Sequence, residues 1–508
     1  MQRITYGCVC LTFFAMKALT VVVAHSPGPC FVKSLFSLAK SDLIEHLVVV
    51  GQEAARLKIP KCRVVAGGPL SSYETLSRVL AEAQTNYLLL LPGGQQVLIG
   101  PETLQRMIDA AGSAKAGMVY SDYYEEGEHS TLHPLCDYQP GSVRDDFDFG
   151  AAILFSGAAI RRALEKYGLI PAVRFAGLYD LRLKVSIDHL ICHLQEPLYS
   201  VTGTTGPSAS DKMFAYVDPR NEAAQKEMET VFTDYLKKIG AYLRPGHFKE
   251  VEETTKSFPV EASVIIPVRD RKETIAEAVE SAVSQETDFS YNVIVVDNHS
   301  ADGTTAVLSD LCRQYSRLKH VVPKRTDLGI GGCWNEGIQD PACGRYAVQL
   351  DSDDLYSDSH ALQKMVDVLN LSGNGMVIGS YTLVNSRREQ IPPGLVNHRE
   401  WTDENGRNNA LRINGLGAPR AFRTGLMRRI GFLNVSYGED YAAALRISRE
   451  YRVGRIYESL YLCRRWPRNT DAVLSIEQTN RNNFFKDKIR TDEILVRKRL
   501  NESTAEGP

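Results

Sequence analysis

The chain reads as an α/β protein in which one doubly wound unit, a mostly parallel sheet flanked by helices, occurs twice in tandem. Short apolar runs rich in β-branched residues alternate with helical patterns, as expected of strands covered on both faces. The same motifs then recur in the same order. Tyr87-Leu88-Leu89-Leu90-Leu91-Pro92-Gly93-Gly94, followed by Leu104-Gln105-Arg106-Met107, parallels Tyr346 to Asp353, followed by Leu362-Gln363-Lys364-Met365. Thr20 to Ala24 matches Ser263 to Pro267, and Gly150 to Phe155 matches Gly417 to Phe422. Leu183 to Tyr199 matches Leu445 to Tyr461 without a gap. Four ordered matches define a repeated domain.

Taken in order, residues 1–15 form an N-terminal extension and 16–218 the first copy, opening on a strand at Leu19-Thr20-Val21-Val22-Val23-Ala24. Gly7 to Ala24 is apolar, but Lys17 interrupts it, and a membrane span needs about twenty predominantly apolar residues. A dispensable start at Met1 to Leu11, with Met16 as an alternative first residue, is therefore expected rather than a signal or anchor. Residues 219–261 hold a helix with Met228, Val231, Phe232, Tyr235 and Leu236 on one face, then a polar linker over Pro245 to Pro259. The second copy spans 262–475, with strands expected at Ala262–Ile266, Asn292–Asp297, Lys319–Val322, Tyr346–Leu350 and Gly375–Gly379. Its helices fall near Thr274–Ser284, Thr304–Tyr315 and Leu362–Leu369, and a closing helix and tail occupy 476–508.

With 508 residues, 44% of them hydrophobic and 24% charged, the chain has ample core for several soluble domains. A formal net charge of -2 gives no field to recruit nucleic acid or an anionic membrane. The ten cysteines show no C-x-x-C pair and no zinc spacing, so reduced thiols in a cytoplasmic protein are expected.

Chemistry concentrates at the predicted carboxyl ends of strands in the second copy, the edge where doubly wound sheets bind ligands. The run Tyr346 to Leu350 ends in Asp351, Asp353 and Asp354. Asp is depleted in strands, so these acids point to a divalent cation, Mg²⁺ or Mn²⁺, although an Asp-Ser-Asp turn capping the helix near Ser359 has the same pattern. Pro267-Val268-Arg269-Asp270-Arg271 follows the first strand. Asp297 ends the second, placed to meet a nucleotide base or ribose. Asp302 in Asp-Gly-Thr-Thr reads as a helix cap. Glu439 and Asp440 open a helix, and Ser436 to Glu439 has capping-box spacing, which favours Asp440 as the reactive acid.

Ser263-Val264-Ile265-Ile266-Pro267, Val295-Val296-Asp297, Leu350-Asp351-Ser352-Asp353-Asp354 and Gly438-Glu439-Asp440 together resemble an inverting family-two glycosyltransferase of the GT-A fold. The resemblance covers about Ala262 to Trp466. It implies tandem Rossmann-like GT-A domains and transfer of a sugar from a nucleotide-diphosphate donor, UDP- or GDP-linked, to a glycan or lipid-linked acceptor. It also implies that Asp353, with Asp351, ligates the metal, that Asp351 and Asp297 face the nucleotide, and that Asp440, or Glu439 beside it, is the catalytic base. Pro267, Arg269 and Asp270, then Asn335 in the glycine-rich run Leu328 to Gly337, and Arg464 and Arg465 in Cys463-Arg464-Arg465-Trp466, complete the expected donor site. The last motif resembles the R-W ending of processive synthases, but the Gln and the membrane helices of those enzymes are missing. A cytoplasmic enzyme of polysaccharide or glycoconjugate synthesis follows, with peripheral membrane contact left open.

In the first copy Gly51 stands at the position of Asp297, Pro92 and Gly94 at Asp351 and Asp353, and Gly177 and Leu178 at Glu439 and Asp440. That copy is expected to be degenerate and non-catalytic. Its clusters Tyr120 to Tyr124 and Arg144 to Phe149 leave carbohydrate binding and simple packing both open. Two other function classes compete: a sugar-nucleotide nucleotidyltransferase, which would need a glycine-rich, Lys-containing loop after the first strand, and a non-catalytic carbohydrate-binding scaffold.

Overall fold

A computed structural model describes residues 19–25, 29–51, 58–93, 96–203, 215–252, 257–371, 373–413, 415–466 and 474–505. The expectations for Met1 to Leu11, Met16 and Gly94 lie outside the described residues. The chain divides into two compact units, one of Met1–Tyr138 with Asp148–Gly206, the other of Gln139–Phe147 with Pro207–Pro508.

In the first unit the strands are β1 (Leu19–Ala24), β2 (Ile44–Val50), β3 (Cys62–Val65), β4 (Tyr87–Leu91), β5 (Gln96–Ile99), β6 (Met118–Glu126), β7 (Ser130–His133), β8 (Ile153–Ser156) and β9 (Ile191–Thr202). They lie in the order β3-β2-β1-β4-β8-β6-β9-β5, with β7 on β6. The second unit has β10 (Ala262–Val268), β11 (Tyr291–Asp297), β12 (Leu318–Val321), β13 (Tyr346–Gln349), β14 (Leu355–Tyr356), β15 (Met376–Asn385), β16 (Gln390–Val396), β17 (Arg420–Arg423) and β18 (Val453–Arg465). Their order is β12-β11-β10-β13-β17-β15-β18-β14, with β16 on β15. The two sheets therefore share one topology, strand for strand.

Each sheet is mixed, where a mostly parallel one was expected. β10 pairs in parallel with β11 and β13, but β17 enters antiparallel between β13 and β15. Apolar runs report that a strand is buried on both faces and carry no record of its direction. The second core forms where Val264, Ile266, Val293, Val295, Val348 and Leu350 meet the helices Ile275–Val283 and Ala361–Leu371.

Strand register fixes which residues correspond. Leu19 pairs with Tyr87 as Ala262 pairs with Tyr346, and Ala24 pairs with Val50 as Pro267 pairs with Val296. Tyr87 opposes Ser156 as Tyr346 opposes Arg423, so Leu90 and Ile153 stand where the second unit has Gln349 and Arg420.

Most of the glycine-rich run Leu328 to Gly337 belongs to the helix Ile330–Gln339. Its glycines admit the neighbouring chain: a Cβ on Gly331 would lie 1.9 Å from the Leu433 carbonyl oxygen, and one on Gly329 2.5 Å from the Val435 carbonyl carbon. Tight backbone contact, a demand glycine meets because it has no side chain, accounts for the composition.

Arg144 and Asp145 of the Arg144 to Phe149 cluster are engaged in internal contacts. Ser142 Oγ donates to Asp487 Oδ2 (3.0 Å), Arg144 Nε lies 3.3 Å from Asp487 Oδ1, and Arg412 Nη1 donates to Asp145 Oδ2 (2.7 Å). Arg144 is buried. These groups tie Gln139–Phe147 to the helix Ile476–Ala505 and the Arg412 turn of the second unit.

Candidate active site

The loops leaving β10, β11 and β13 converge on a cavity of about 440 Å³. Pro267, Arg269, Arg271, Asn298, Asp351, Asp353, Glu439, Asp440 and Arg465 all line it. Two of the loops hold each other in left-handed turns at non-glycine residues, Asp270 (φ 52) and His299 (φ 57). The Asp270 amide donates to Ser300 Oγ (2.9 Å), and Asp270 Oδ1 accepts from the Ala301 amide (2.7 Å). Such conformations persist where surrounding contacts over-determine them, and they cluster at functional sites.

The acids after β13 are crowded. Burial, reinforced by the Asp353 charge, raises the pKa of Asp351 and drives that of Asp354 well above the usual carboxylate range. Asp354 is turned inward, accepting from the Arg464 amide (2.8 Å). Asp353 faces the cavity, where Trp466 Nε1 donates to its Oδ2 (3.2 Å) and Arg271 Nε lies 3.7 Å away. This set of hard oxygens with mutually repelling charge fits a divalent cation. Among the described residues no three His, Cys, Asp or Glu side chains converge to hold an ion unaided. A cation held by these acids would need ligand phosphates and water to complete its shell, the usual habit of Mg²⁺.

A hydrogen-bonded chain crosses from these acids to the helix Glu439–Glu450. Gln349 Nε2 donates to Asp351 Oδ1 (3.0 Å), Arg420 Nη1 donates to Gln349 Oε1 (2.8 Å), and Arg420 Nη2 donates to Asp440 Oδ2 (2.5 Å). Arg420 Nε donates to the Leu416 carbonyl (2.6 Å), which orients the guanidinium. Sequence reading missed both Gln349 and Arg420. Each is a polar residue at the end of a short buried strand, Gln349 closing Tyr346–Gln349 and Arg420 opening Arg420–Arg423, and neither could be interpreted until the strands were known to be neighbours.

Glu439 and Asp440 are driven apart. Burial works to raise the Asp440 carboxyl, but the Arg420 and Lys486 charges outweigh it and hold the group below its ordinary value. Burial, and then the Asp440 charge, push Glu439 up to about 8. Glu439 is 8% exposed, and its Oε2 has no hydrogen-bond partner among the described residues. The capping box does not form: the helix is capped by Gly438 in a left-handed conformation (φ 80) without a side-chain bond, and Ser436 Oγ instead accepts from the Ile330 amide (3.3 Å).

Other expected residues lie off the cavity wall. Asp297 is fully buried, with Oδ1 accepting from the Ser300 amide (3.0 Å) and Oδ2 from Thr305 Oγ1 (2.6 Å) and His320 Nε2 (3.2 Å). Burial opposes its ionisation, yet the Thr305 and Ser300 hydrogen bonds lower its pKa overall. Its place is beneath the loop that carries Asn298. Asn335 spends its amide on Phe432, donating to that carbonyl (2.9 Å) and accepting from that N–H (2.9 Å). Arg464 turns to Glu277 and the Asp353 carbonyl, while Arg465 faces the cavity.

Residues 263–431 match the family described as "Glycosyl transferase family 2". An uncharacterized protein of Mycobacterium tuberculosis, Rv1520, is 26% identical over 108 residues, 21% of this chain and 31% of that protein. A poly(ribitol-phosphate) beta-glucosyltransferase of Bacillus spizizenii is 26% identical over 212 residues, 40% of this chain and 32% of its own length. The chain thus spans about a third of the length of these relatives. A crystal structure of Staphylococcus aureus TarS in complex with UDP covers 46% of this chain and 65% of its own at 20% identity, with a TM-score of 0.36.

Proposed function

We propose, from the premise that residues 263–431 form a glycosyl transferase family 2 domain, that this chain is a glycosyltransferase whose second unit does the work. It moves a sugar from a nucleoside-diphosphate donor to a hydroxyl acceptor with inversion. The observation that carries this reading is the Asp351–Gln349–Arg420–Asp440 chain, which ties cation-binding acids to an ionised carboxylate across one cavity.

Asp353, with Asp351, would hold Mg²⁺ or Mn²⁺, and such a cation supplies charge stabilisation to a departing diphosphate worth several kcal/mol. Arg269, Arg271 and Arg465 add fixed positive charge to the cavity wall. Pro267 and Asn298 bound the nucleotide end, and Asp270 and Asp297 set the shape of the loops there. Two adjacent carboxyls with opposed pKa shifts mark a division of labour. Asp440, ionised at neutral pH, accepts the proton of the attacking hydroxyl. Glu439, protonated below about 8, donates a hydrogen bond from its unpartnered oxygen.

The first unit, with none of these groups at the matching positions, is a non-catalytic companion. The names of the relatives support a polysaccharide or glycoconjugate acceptor. No helix among the described residues is long and apolar enough to cross a membrane.

The test is a melting-temperature panel of uridine, guanosine, cytidine and thymidine diphosphates on the full chain, each with and without Mn²⁺. One of them, at a hundredfold excess over its Kd, should stabilise by about 2.7 kcal/mol in a Mn²⁺-dependent way. Asp353→Asn should lose the Mn²⁺ dependence. No shift with any nucleotide overturns the reading.

A further inference from the structure

Beside the donor cavity, between the first turn of the helix Glu439–Glu450 and the helix Ile476–Ala505, lies a second cavity of about 650 Å³. The two cavities share Ile330, Ser436, Glu439 and Asp440, whereas Asp351, Asp353 and Arg465 line only the first. An occupant of the second therefore reaches the Asp440 carboxylate without displacing anything held at the strand-end acids.

The second cavity has a composition suited to a sugar. Gln478, Arg481, Asn482 and Phe485 recur at spacings of three and four and so share one helix face. Side-chain amides beside aromatic surface are what hydroxyls and the apolar face of a pyranose require. Lys486 adds a cation whose Nζ sits 4.5 Å from the Tyr437 ring centroid and 5.6 Å from that of Tyr441. Among the described residues neither Arg481 nor Lys486 forms an ion pair at contact distance, although the Lys486 charge reaches Asp440 and the Arg481 charge reaches Glu477. Asp440, the acid nearest in the wall, is already paired with Arg420. Glu439 provides an independent sign of a ligand, since this residue, nine-tenths buried and with one carboxyl oxygen lacking a partner among the described residues, lines both cavities.

We propose that this groove seats the acceptor, and that it selects a hydroxyl acceptor bearing an anionic group, paired by Arg481 and Lys486. The proposal rests on the glycosyl-transfer reading and names the substrate class of that site. Charge-assisted hydrogen bonds to the anion supply the selectivity, and the shared Asp440 faces the hydroxyl.

Three small probes test it: methyl β-D-glucopyranoside, its 6-phosphate, and methyl β-D-glucuronide. Binding of each is measured by NMR titration on the full chain with Mn²⁺ and the nucleoside diphosphate that raises its melting temperature. Both anionic probes should bind on the order of tenfold more tightly than the neutral one. That preference should shrink in 0.5 M salt as charges are screened, and disappear in Arg481→Ser, a change at an exposed side chain. Equal binding of all three probes, or a preference that survives Arg481→Ser, overturns the assignment. Loss of the nucleotide-dependent melting shift in the wild-type chain instead sinks the glycosyl-transfer reading, so the two failures are told apart within one sample.

Discussion

Ile153 and Arg420 occupy the same place on the same strand in two units of identical topology. Around them the contrast repeats: Leu90 for Gln349, Pro92 for Asp351, Gly177 for Glu439 and Leu178 for Asp440. The first unit shows that this backbone closes with apolar side chains at every link of the chain that the second fills with hydrogen-bonding and charged groups. The polar chain is thus not demanded by the fold. Buried ion pairs are weak contributors to stability, and apolar replacements of similar volume often do as well or better. A network that the architecture does not need, kept fully connected between an acidic strand edge and a helix N-terminus, is best understood as chemistry carried on a scaffold.

The strongest way to break the contrast is at its reactive end. Asp440→Asn should lower kcat for transfer by about 10²–10⁴-fold, the usual worth of a positioned base. A variant within tenfold of the parent would remove Asp440 from that role. Next in size is Arg420→Ile, which installs the residue of the first unit alone. Leaving Gln349 and the partly exposed Asp440 without their partner should cost about 3 kcal/mol in urea unfolding. Converting the cluster as a set, Gln349→Leu with Arg420→Ile and Asp440→Leu, should recover most of that loss. A triple variant no more stable than the single one would mean that the two units differ in packing and not only in polarity.

Glu439→Gln is a smaller and more selective probe. The folded-state pKa of Glu439, about 8, lies above the ~4.3 of an unfolded glutamate. Between those values folding takes up a proton, so its contribution is fully present below the unfolded value and is lost as pH rises through 8. Wild-type stability should therefore fall with pH across that window by up to about 1.4 kcal/mol per pH unit, and the Gln variant should lack this component. Urea midpoints at pH 5, 6.5 and 8 give the answer, and parallel profiles would place the Glu439 pKa elsewhere. Smallest of all should be Leu178→Ala, at the first unit's counterpart of Asp440. Turnover within about twofold of the parent is expected, with a stability change of about 1 kcal/mol. A large loss of turnover would give the first unit a part in catalysis.

Much of this was legible without coordinates. Repetition of motifs in order located the two units, because a shared register preserves the spacing of buried strands. Asp351 and Asp353 stood out because Asp is depleted in strands, and Glu439 and Asp440 because paired acids after Gly438 open a helix in a motif that resembles a known family. Other features were not legible. The helix Ile330–Gln339 was hidden by glycines whose role is to let Leu433 and Val435 approach. Asn335 looked like a ligand to the donor, yet its amide is consumed by the Phe432 backbone. Gln139–Phe147 sits within the first copy in sequence but packs into the second unit.

The sequence by itself determined the class of fold, its duplication and the acids that one copy keeps and the other lacks, since composition and periodicity are local properties of the chain. Only the tertiary structure decided which of those acids act together. Arg420 meets Gln349 and Asp440 across 71 and 20 residues, through an antiparallel strand whose direction leaves no trace in its own four residues. Hydrogen bonds and charges act over a few ångströms, so their partners are fixed by folding and not by position along the chain.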